Sequence, residues 1–273
     1  MMEDDAVSRF HLERGAMRRP PALTWIALAV LLGCAAEPIA AASATAPDSG
    51  GARPPSLVSA RDLWLGLAAG AGIVATFNAD PAIRDEALES RSAMRGLSSV
   101  AEHLGNPLYL GSALALTHLA AARVGRPDVE IAADRVAGAV LVAGLACEVL
   151  KVSIGRPRPE QAGGEHDRAR PFSRYDSFPS GHATVAFAAA AALDHESKAA
   201  WVPWVAYPLA GLVGWSRVHD DRHWASDVVA GAALGTWVGL KAAAWEDRGH
   251  GRPIHVVLAP LDGALLAGLR LHF

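Results

Sequence analysis

The sequence predicts an all-α protein in which six helices form one bundle, followed by a short C-terminal β-hairpin. Apolar segments recur along the chain, each long enough for a helix, and charged or Pro/Gly-rich stretches separate them. Alanine dominates these segments, and it favours helix over strand. No repeat of fixed period is present, so a solenoid is not expected.

The composition lies between that of an ordinary globular protein and that of a polytopic membrane protein. Hydrophobic residues make up 51% of the chain and charged residues 19%. The net charge of −3 provides no basic face, so no nucleic-acid partner is expected. Two cysteines, Cys34 and Cys147, can build neither a disulfide framework nor a cysteine-rich metal site.

Residues 1–44 have the layout of a leader. The basic stretch Met17–Pro20 precedes an apolar run, Ala22–Gly33, and the small residues Ala40–Ala44 follow. This order is typical of a secretory signal peptide, with Met17 as the natural start, and it predicts export. Two alternatives stay open, namely an uncleaved N-terminal membrane anchor and lipidation of Cys34.

The helical domain is predicted over residues 61–245, after a Pro/Gly/Ser-rich linker at 45–60. A membrane span needs about 20 apolar residues, and the apolar runs fall slightly short of that length. A membrane-embedded bundle is favoured, and a soluble periplasmic bundle is the alternative. The predicted helices are Leu63–Ala79, Pro107–Ala122, Val136–Leu150, Ala183–Leu193, Ala199–Trp215 and Val228–Leu240.

Two further features lie towards the C-terminus. Gly231, Gly235 and Gly239 share one face of the last helix, where they would let a neighbouring helix approach closely. Loose packing in a sequence rich in small residues is the alternative. In the tail, residues 246–273, two apolar stretches flank the turn-rich Pro260–Gly263, which predicts the hairpin.

The polar residues that can carry chemistry fall into three clusters. Taken singly, each cluster has an ordinary explanation as a helix cap or a helix start. Together they fix eleven residue types at set spacing within each cluster. In chain order, the clusters are Lys151-x6-Arg158-Pro159, Pro179-Ser180-Gly181-His182 and Ser216-Arg217-x5-His223-x3-Asp227.

The clusters suit a phosphate group. Lys151, Arg158 and Arg217 supply three positive charges, and the arginine forks match phosphate oxygens. Ser180 and the Gly181 amide stand at the start of a predicted helix, where free N–H groups and the helix dipole attract an anion. We therefore expect these five residues to bind phosphate.

Two histidines fit two catalytic roles. Asp227, four residues after His223, can accept a proton from the far ring nitrogen and fix the tautomer, which makes His223 the expected nucleophile. His182, beside the phosphate-binding turn, then suits the general acid. These groups make a complete site without a metal or another cofactor.

In this order and spacing, the clusters resemble the signature of the type 2 phosphatidic acid phosphatase (PAP2) and vanadium haloperoxidase superfamily, and they match it at all eleven positions. The resemblance covers roughly Leu63 to Leu240 and implies a PAP2-type bundle of six helices. It also implies a phosphohistidine on His223, protonation of the leaving group by His182 and orientation of His223 by Asp227. The neighbouring acidic pair Asp220–Asp221 is expected to face water.

The predicted function is a metal-independent phosphatase acting on a lipid phosphate ester or pyrophosphate at the outer face of a bacterial envelope membrane. Three alternatives remain. The first is a soluble periplasmic acid phosphatase that takes small phosphate esters. The second is a vanadium haloperoxidase, in which the same residues would hold vanadate as cofactor. The third is a membrane protein that only binds or transports a phospholipid.

Overall fold

The computed structural model describes residues 59–163, 167–197 and 199–246, together with the backbone of 254–261 and 264–271. The predicted leader and nearly all of the predicted linker lie outside these residues. The described part forms six α-helices, which confirms the predicted number, and a 3-10 turn at Pro159–Gln161 follows the third helix. The helices are α1 (Ala60–Leu104), α2 (Pro107–Val124), α3 (Pro127–Ile154), α4 (Gly181–Ser197), α5 (Val202–His219) and α6 (Ala225–Glu246).

Helix α1 is much longer than the predicted Leu63–Ala79. It has 45 residues and continues through Pro81, where the sequence predicted an end. Tertiary contacts compensate for the backbone hydrogen bond that proline cannot donate. Asp80 binds Arg156 on one side of the proline, and Arg84 binds Asp221 on the other. The second half of α1 thereby becomes a wall of the bundle.

Helix α4 is the centre of the bundle and packs against α3, α5 and α6. Its residues from Ala183 to Ala192 are all buried, as expected for a helix that is apolar around its whole circumference. The glycine stripe of α6 lies against it. A Cβ on Gly235 would stand 2.1 Å from the Thr184 carbonyl oxygen, and one on Gly239 would stand 2.7 Å from that of Ala188. The predicted close approach of a neighbouring helix is therefore confirmed, and that helix is α4.

Within the part of the chain that the structure describes, three helices are long and apolar enough to cross a membrane: α1, the segment that begins with α3, and α6. Large apolar side chains point outward from the bundle, including Trp64, which is 71% exposed, and Leu108, which is 79% exposed. An apolar outer surface of this kind suits a lipid environment better than water.

After the bundle the backbone forms two strands, β1 (Ile254–Leu261) and β2 (Ala264–Leu271), that pair antiparallel. Residues 262 and 263, which would form the turn, lie outside the described residues. The C-terminal hairpin therefore stays a prediction.

Candidate active site

The end of α3 is shaped to turn the chain sharply. Gly155 caps the helix with a positive φ of 62°, and a Cβ there would stand 1.9 Å from the carbonyl oxygen of Arg170. Only glycine fits such a position without strain. The turn directs Arg156 and Arg158 back towards the starts of α4 and α6.

Five of the eight predicted site residues line one cavity of about 610 Å³. They are Lys151, Arg158, Gly181, His182 and His223. Ser180 and Asp227 are fully buried beside these residues, whereas Arg217 lines a neighbouring cavity of about 380 Å³. The fold thus brings together in one cavity residues as far apart in the chain as Lys151 and His223, which are separated by 72 positions.

Two side chains at the N-terminus of α4 have polar atoms that are available to a ligand. The Ser180 side-chain oxygen and the Nε2 atom of His182 are both buried and have no hydrogen-bond partner among the described residues. The Ser180 carbonyl accepts from the Thr184 hydroxyl at 2.8 Å, which fixes the first turn of the helix. A Cβ on Gly181 would lie 3.2 Å from Lys151 Nζ, so the lysine amine lies directly against the glycine backbone.

The imidazole of His223 is held by a backbone carbonyl. Its Nδ1 donates to the Ser177 carbonyl oxygen at 2.8 Å, whereas Asp227 Oδ2 lies 3.7 Å from the same nitrogen. A proton on Nδ1 leaves the lone pair on Nε2, which is the form that a nucleophile needs. Burial lowers the pKa of His223, and the Asp227 carboxylate opposes that shift. The ring is therefore neutral at physiological pH.

His182 is also neutral at physiological pH. Burial is the largest cause, and the positive charge of Arg217 adds to it, so that the pKa of His182 falls to about 4. A bound phosphate would bring negative charge next to the ring and raise this pKa again. His182 would then become protonated when the substrate binds, as a general acid requires.

Asp227 belongs to a buried ionic network that lies next to His223. Its Oδ1 accepts from Arg156 at 2.6 Å, and its Oδ2 accepts from the Ser177 hydroxyl at 2.5 Å and from the Trp224 amide at 3.0 Å. Arg156 in turn donates to Asp80 at 2.8 Å, and Asp80 also accepts from the amide and hydroxyl of Ser226. The network connects α1, the end of α3 and the start of α6.

The three predicted phosphate-binding cations are all paired with carboxylates. Lys151 binds Glu148 at 2.7 Å, and Arg158 forms a two-pronged ion pair with Asp176 at 2.8 and 2.9 Å. Arg217 is buried and donates to Glu102 at 3.0 Å and to Asp220 at 2.9 Å. These partners hold each cation in place, and a phosphate would compete for the same donors.

The acidic pair Asp220–Asp221 is engaged in ion pairs instead of simply facing water, which corrects the expectation from the sequence. Asp221 is 9% exposed and forms a bidentate ion pair with Arg84 at 2.6 and 2.9 Å. Asp220 accepts from the Ser98 hydroxyl at 2.7 Å as well as from Arg217. Both carboxylates fasten the second half of α1, which the sequence prediction had left out of the bundle.

Sequence reasoning also missed four residues that shape the site: Asp80, Arg156, Asp176 and Ser177. The sequence contains a feature that could have indicated two of them. Asp80 interrupts an otherwise apolar segment, and Arg156 stands two residues before the predicted Arg158. Ser177 acts mainly through its backbone carbonyl, which no side-chain pattern can reveal.

Comparison with known proteins finds a family that resembles part of this chain. A model of the PAP2 superfamily matches residues 134–249. A lipid A 1-phosphatase of Porphyromonas gingivalis is 40% identical over 91 residues, or 33% of this chain and 18% of that protein. A lipid A 1-phosphatase of Rhizobium johnstonii is 38% identical over 114 residues, which are 38% of this chain and 43% of that protein.

A plant relative has a similar extent. Lipid phosphate phosphatase 1 of Arabidopsis thaliana is 35% identical over 130 residues, or 37% of this chain and 40% of that protein. This chain thus spans less than half the length of each of these three relatives. Among solved structures, a transmembrane PAP2-type phosphatidylglycerolphosphate phosphatase of Bacillus subtilis is 25% identical, with a TM-score of 0.44 over 68% of this chain and 94% of that one. The segment that the family model matches contains all three clusters, so the predicted resemblance to the PAP2 superfamily is confirmed over residues 134–249.

Proposed function

We propose that this protein is a metal-independent phosphatase that hydrolyses the phosphate ester of a lipid through a phosphohistidine on His223. One observation carries the proposal: a single cavity joins both histidines and two cations to a long apolar wall. Such a cavity suits a substrate with an anionic head and an apolar body. The wall is formed by Leu114 and Ala115 of α2 and by Ala137, Val140, Leu141 and Leu145 of α3.

The phosphate would sit at the start of α4. There the helix dipole, the Ser180 hydroxyl and the amide of Gly181 face an anion, and Lys151 stands beside the glycine. Arg158 lines the same cavity with a planar fork suited to two phosphate oxygens. The Nε atom of Arg217, which has no partner among the described residues, is a further donor beside His182.

Catalysis would proceed in two steps. In the first, Nε2 of His223 attacks phosphorus, the bond between phosphorus and the ester oxygen breaks, and the leaving oxygen takes a proton from His182. In the second, water attacks the phosphohistidine and gives its proton to His182. The N–P bond then breaks, inorganic phosphate leaves, and both histidines return to their starting protonation states. Lys151 and the two arginines would stabilise the charge on the transferred phosphoryl group.

The lipid character of the substrate rests on two further observations. Three helices are long and apolar enough to cross a membrane, so the cavity would open within reach of membrane lipids. The relatives are named lipid A 1-phosphatase and lipid phosphate phosphatase, and a similar substrate class is proposed for this chain. With the predicted leader, we further propose a place in the bacterial envelope with the site on the periplasmic side.

Phosphate release in the presence of EDTA tests the proposal. The detergent-solubilised protein is assayed with lipid phosphates and with small soluble phosphate esters, and His223→Ala is compared with wild type. We expect turnover without metal, a preference for lipids, and a loss of at least about two orders of magnitude in His223→Ala. His103→Ala, which changes a histidine outside the cavity, serves as the matched control and should keep full activity.

Four outcomes would count against the proposal. Full activity in His223→Ala would exclude the phosphohistidine. Loss of wild-type activity with EDTA would exclude the metal-independent mechanism. A preference for small esters would favour a soluble-substrate acid phosphatase, and halide oxidation after vanadate loading would favour a haloperoxidase.

A further inference from the structure

A second cavity, of about 380 Å³, shares no lining residue with the first and has more arginines than carboxylates in its lining. We call it the arginine cavity, because four of its lining residues are Arg91, Arg95, Arg217 and Arg222. Two carboxylates, those of Glu102 and Asp220, also line it. The lining thus presents four guanidinium groups to two carboxylates. This volume could hold roughly a dozen water molecules at about 30 Å³ each, which is ample for a hydrated phosphate group.

The arginines converge from separate parts of the chain. Arg91 and Arg95 stand one turn apart on α1, and Glu102 lies further along the same helix. Arg217 comes from the last turn of α5, and Arg222 follows in the loop before α6. This convergence depends on the second half of α1 packing beside α5.

The two carboxylates in the cavity share one cation, Arg217. Glu102 and Asp220 both bind Arg217, at 3.0 and 2.9 Å. Arg222 pairs at 3.2 Å with Glu160, which lies outside the lining. With Glu160 included, four arginines stand against three carboxylates, so one positive charge is in excess. Neither Arg91 nor Arg95 forms an ion pair with a described carboxylate, and Arg91 donates to the backbone carbonyl of Asp220 at 3.2 Å. An anion entering the cavity would therefore meet two guanidinium groups whose forks are not engaged by a described carboxylate.

Arg217 connects the two cavities. It lines the arginine cavity, yet its charge reaches His182, which lines the catalytic cavity. An anion bound by Arg91 and Arg95 would therefore lie next to the residue that we assign to the transferred phosphate. The inference rests on the proposed function only where Arg217 is taken as a ligand of the transferred phosphate.

We propose that the arginine cavity is a second anion subsite that binds a phosphate group other than the one being hydrolysed. Guanidinium forks recognise phosphate oxygens in pairs, and two such forks are available here. The phosphate can come from two sources, either the headgroup of a substrate that carries two phosphate groups or a separate phosphate ion. The chemistry of recognition is the same in both.

Equilibrium dialysis of radiolabelled inorganic phosphate against the detergent-solubilised full chain tests the subsite directly. We expect wild type to bind two phosphate ions and Arg91→Gln/Arg95→Gln to bind one. Arg126→Gln changes an exposed arginine at the start of α3, away from both cavities, and should still bind two. Equal stoichiometry in wild type and the double variant would overturn the proposal. Because this readout needs no turnover, it is independent of the test with His223→Ala.

Kinetics then distinguish the two sources. Dioleoyl phosphatidate carries one phosphate group, and dioleoyl phosphatidylglycerol phosphate carries two. If the second phosphate belongs to the substrate, the double variant loses at least about tenfold in kcat/KM for the second lipid and little for the first. If the site takes a separate ion, both lipids are affected equally while the second bound phosphate is still lost. Arg91→Lys/Arg95→Lys, which keeps the charge but not the forks, should restore binding only in part.

Discussion

The Nδ1 atom of His223 lies 2.8 Å from the carbonyl oxygen of Ser177, which makes that carbonyl its nearest acceptor. The Asp227 carboxylate, which the sequence had suggested for this position, is 3.7 Å away and is engaged by Arg156 at 2.6 Å. A backbone acceptor cannot be removed by side-chain substitution. The tautomer of the proposed nucleophile, His223, is thus fixed by the loop before α4, and Asp227 supports it through charge and through the Ser177 hydroxyl.

This geometry predicts a moderate effect of Asp227→Asn. The variant keeps the Ser177 carbonyl, so the Nδ1 proton of His223 still has an acceptor, but it loses the negative charge that stabilises a positive ring. We expect kcat to fall by about tenfold, well short of the loss in His223→Ala. Ser177→Ala, which retains the carbonyl, should change kcat less than Asp227→Asn. Equal losses in Asp227→Asn and His223→Ala would show that the carboxylate itself orients the ring.

The buried network predicts a large cost in stability for Arg156→Gln. Arg156 neutralises Asp80 and Asp227, and all three side chains are at most 4% exposed. Removing the cation leaves two uncompensated carboxylates in the interior, which costs about 3–5 kcal/mol. Thermal unfolding in detergent should show a Tm lower by roughly 10 °C.

An exposed ion pair provides the control for that measurement. Arg126 and Asp128 are both more than 60% exposed, so Arg126→Gln should cost less than about 1 kcal/mol. A small Tm change in Arg156→Gln, similar to that of the control, would mean that the network does not hold α1 and α6 together.

The glycine stripe of α6 predicts a packing defect in Gly235→Ala. The added Cβ would stand 2.1 Å from the Thr184 carbonyl oxygen, a distance that only a shift of one helix can relieve. We expect a loss of at least about 1–3 kcal/mol by thermal unfolding. Gly66→Ala, with nothing within 4 Å of its Cβ, should be neutral or stabilising by up to about 1 kcal/mol. Equal stability of the two variants would contradict the close contact between α4 and α6.

The pKa of His223 predicts the acidic limb of the pH profile. The proposed nucleophile must be neutral, and burial places its pKa below the usual 6.5, so the acidic fall in kcat/KM should lie below pH 6.5. Asp227 opposes the effect of burial by stabilising the charged ring. Asp227→Asn should therefore lower the pKa of His223 further and move the limb to lower pH. A limb that moves to higher pH in this variant would contradict the assignment.

Much of this arrangement follows from the sequence alone. Six helices are predictable because each apolar segment is long and alanine-rich, and the three clusters lead to Lys151, His182 and His223 because their spacing is fixed within single turns and loops. The sequence could not show that α1 continues past Pro81, since a helix-breaking residue there is tolerated only through ion pairs with residues far along the chain. The same tertiary contacts create the ionic network and the arginine cavity.

The central claim is a covalent bond between phosphorus and His223, and trapping that intermediate tests it most directly. The protein is mixed with ³²P-labelled lipid phosphate, quenched in alkali, where phosphohistidine survives, and digested for peptide mapping. We predict label on the peptide that contains His223, sensitive to acid and lost in His223→Gln. Label on another residue, or none during rapid turnover, would contradict the account.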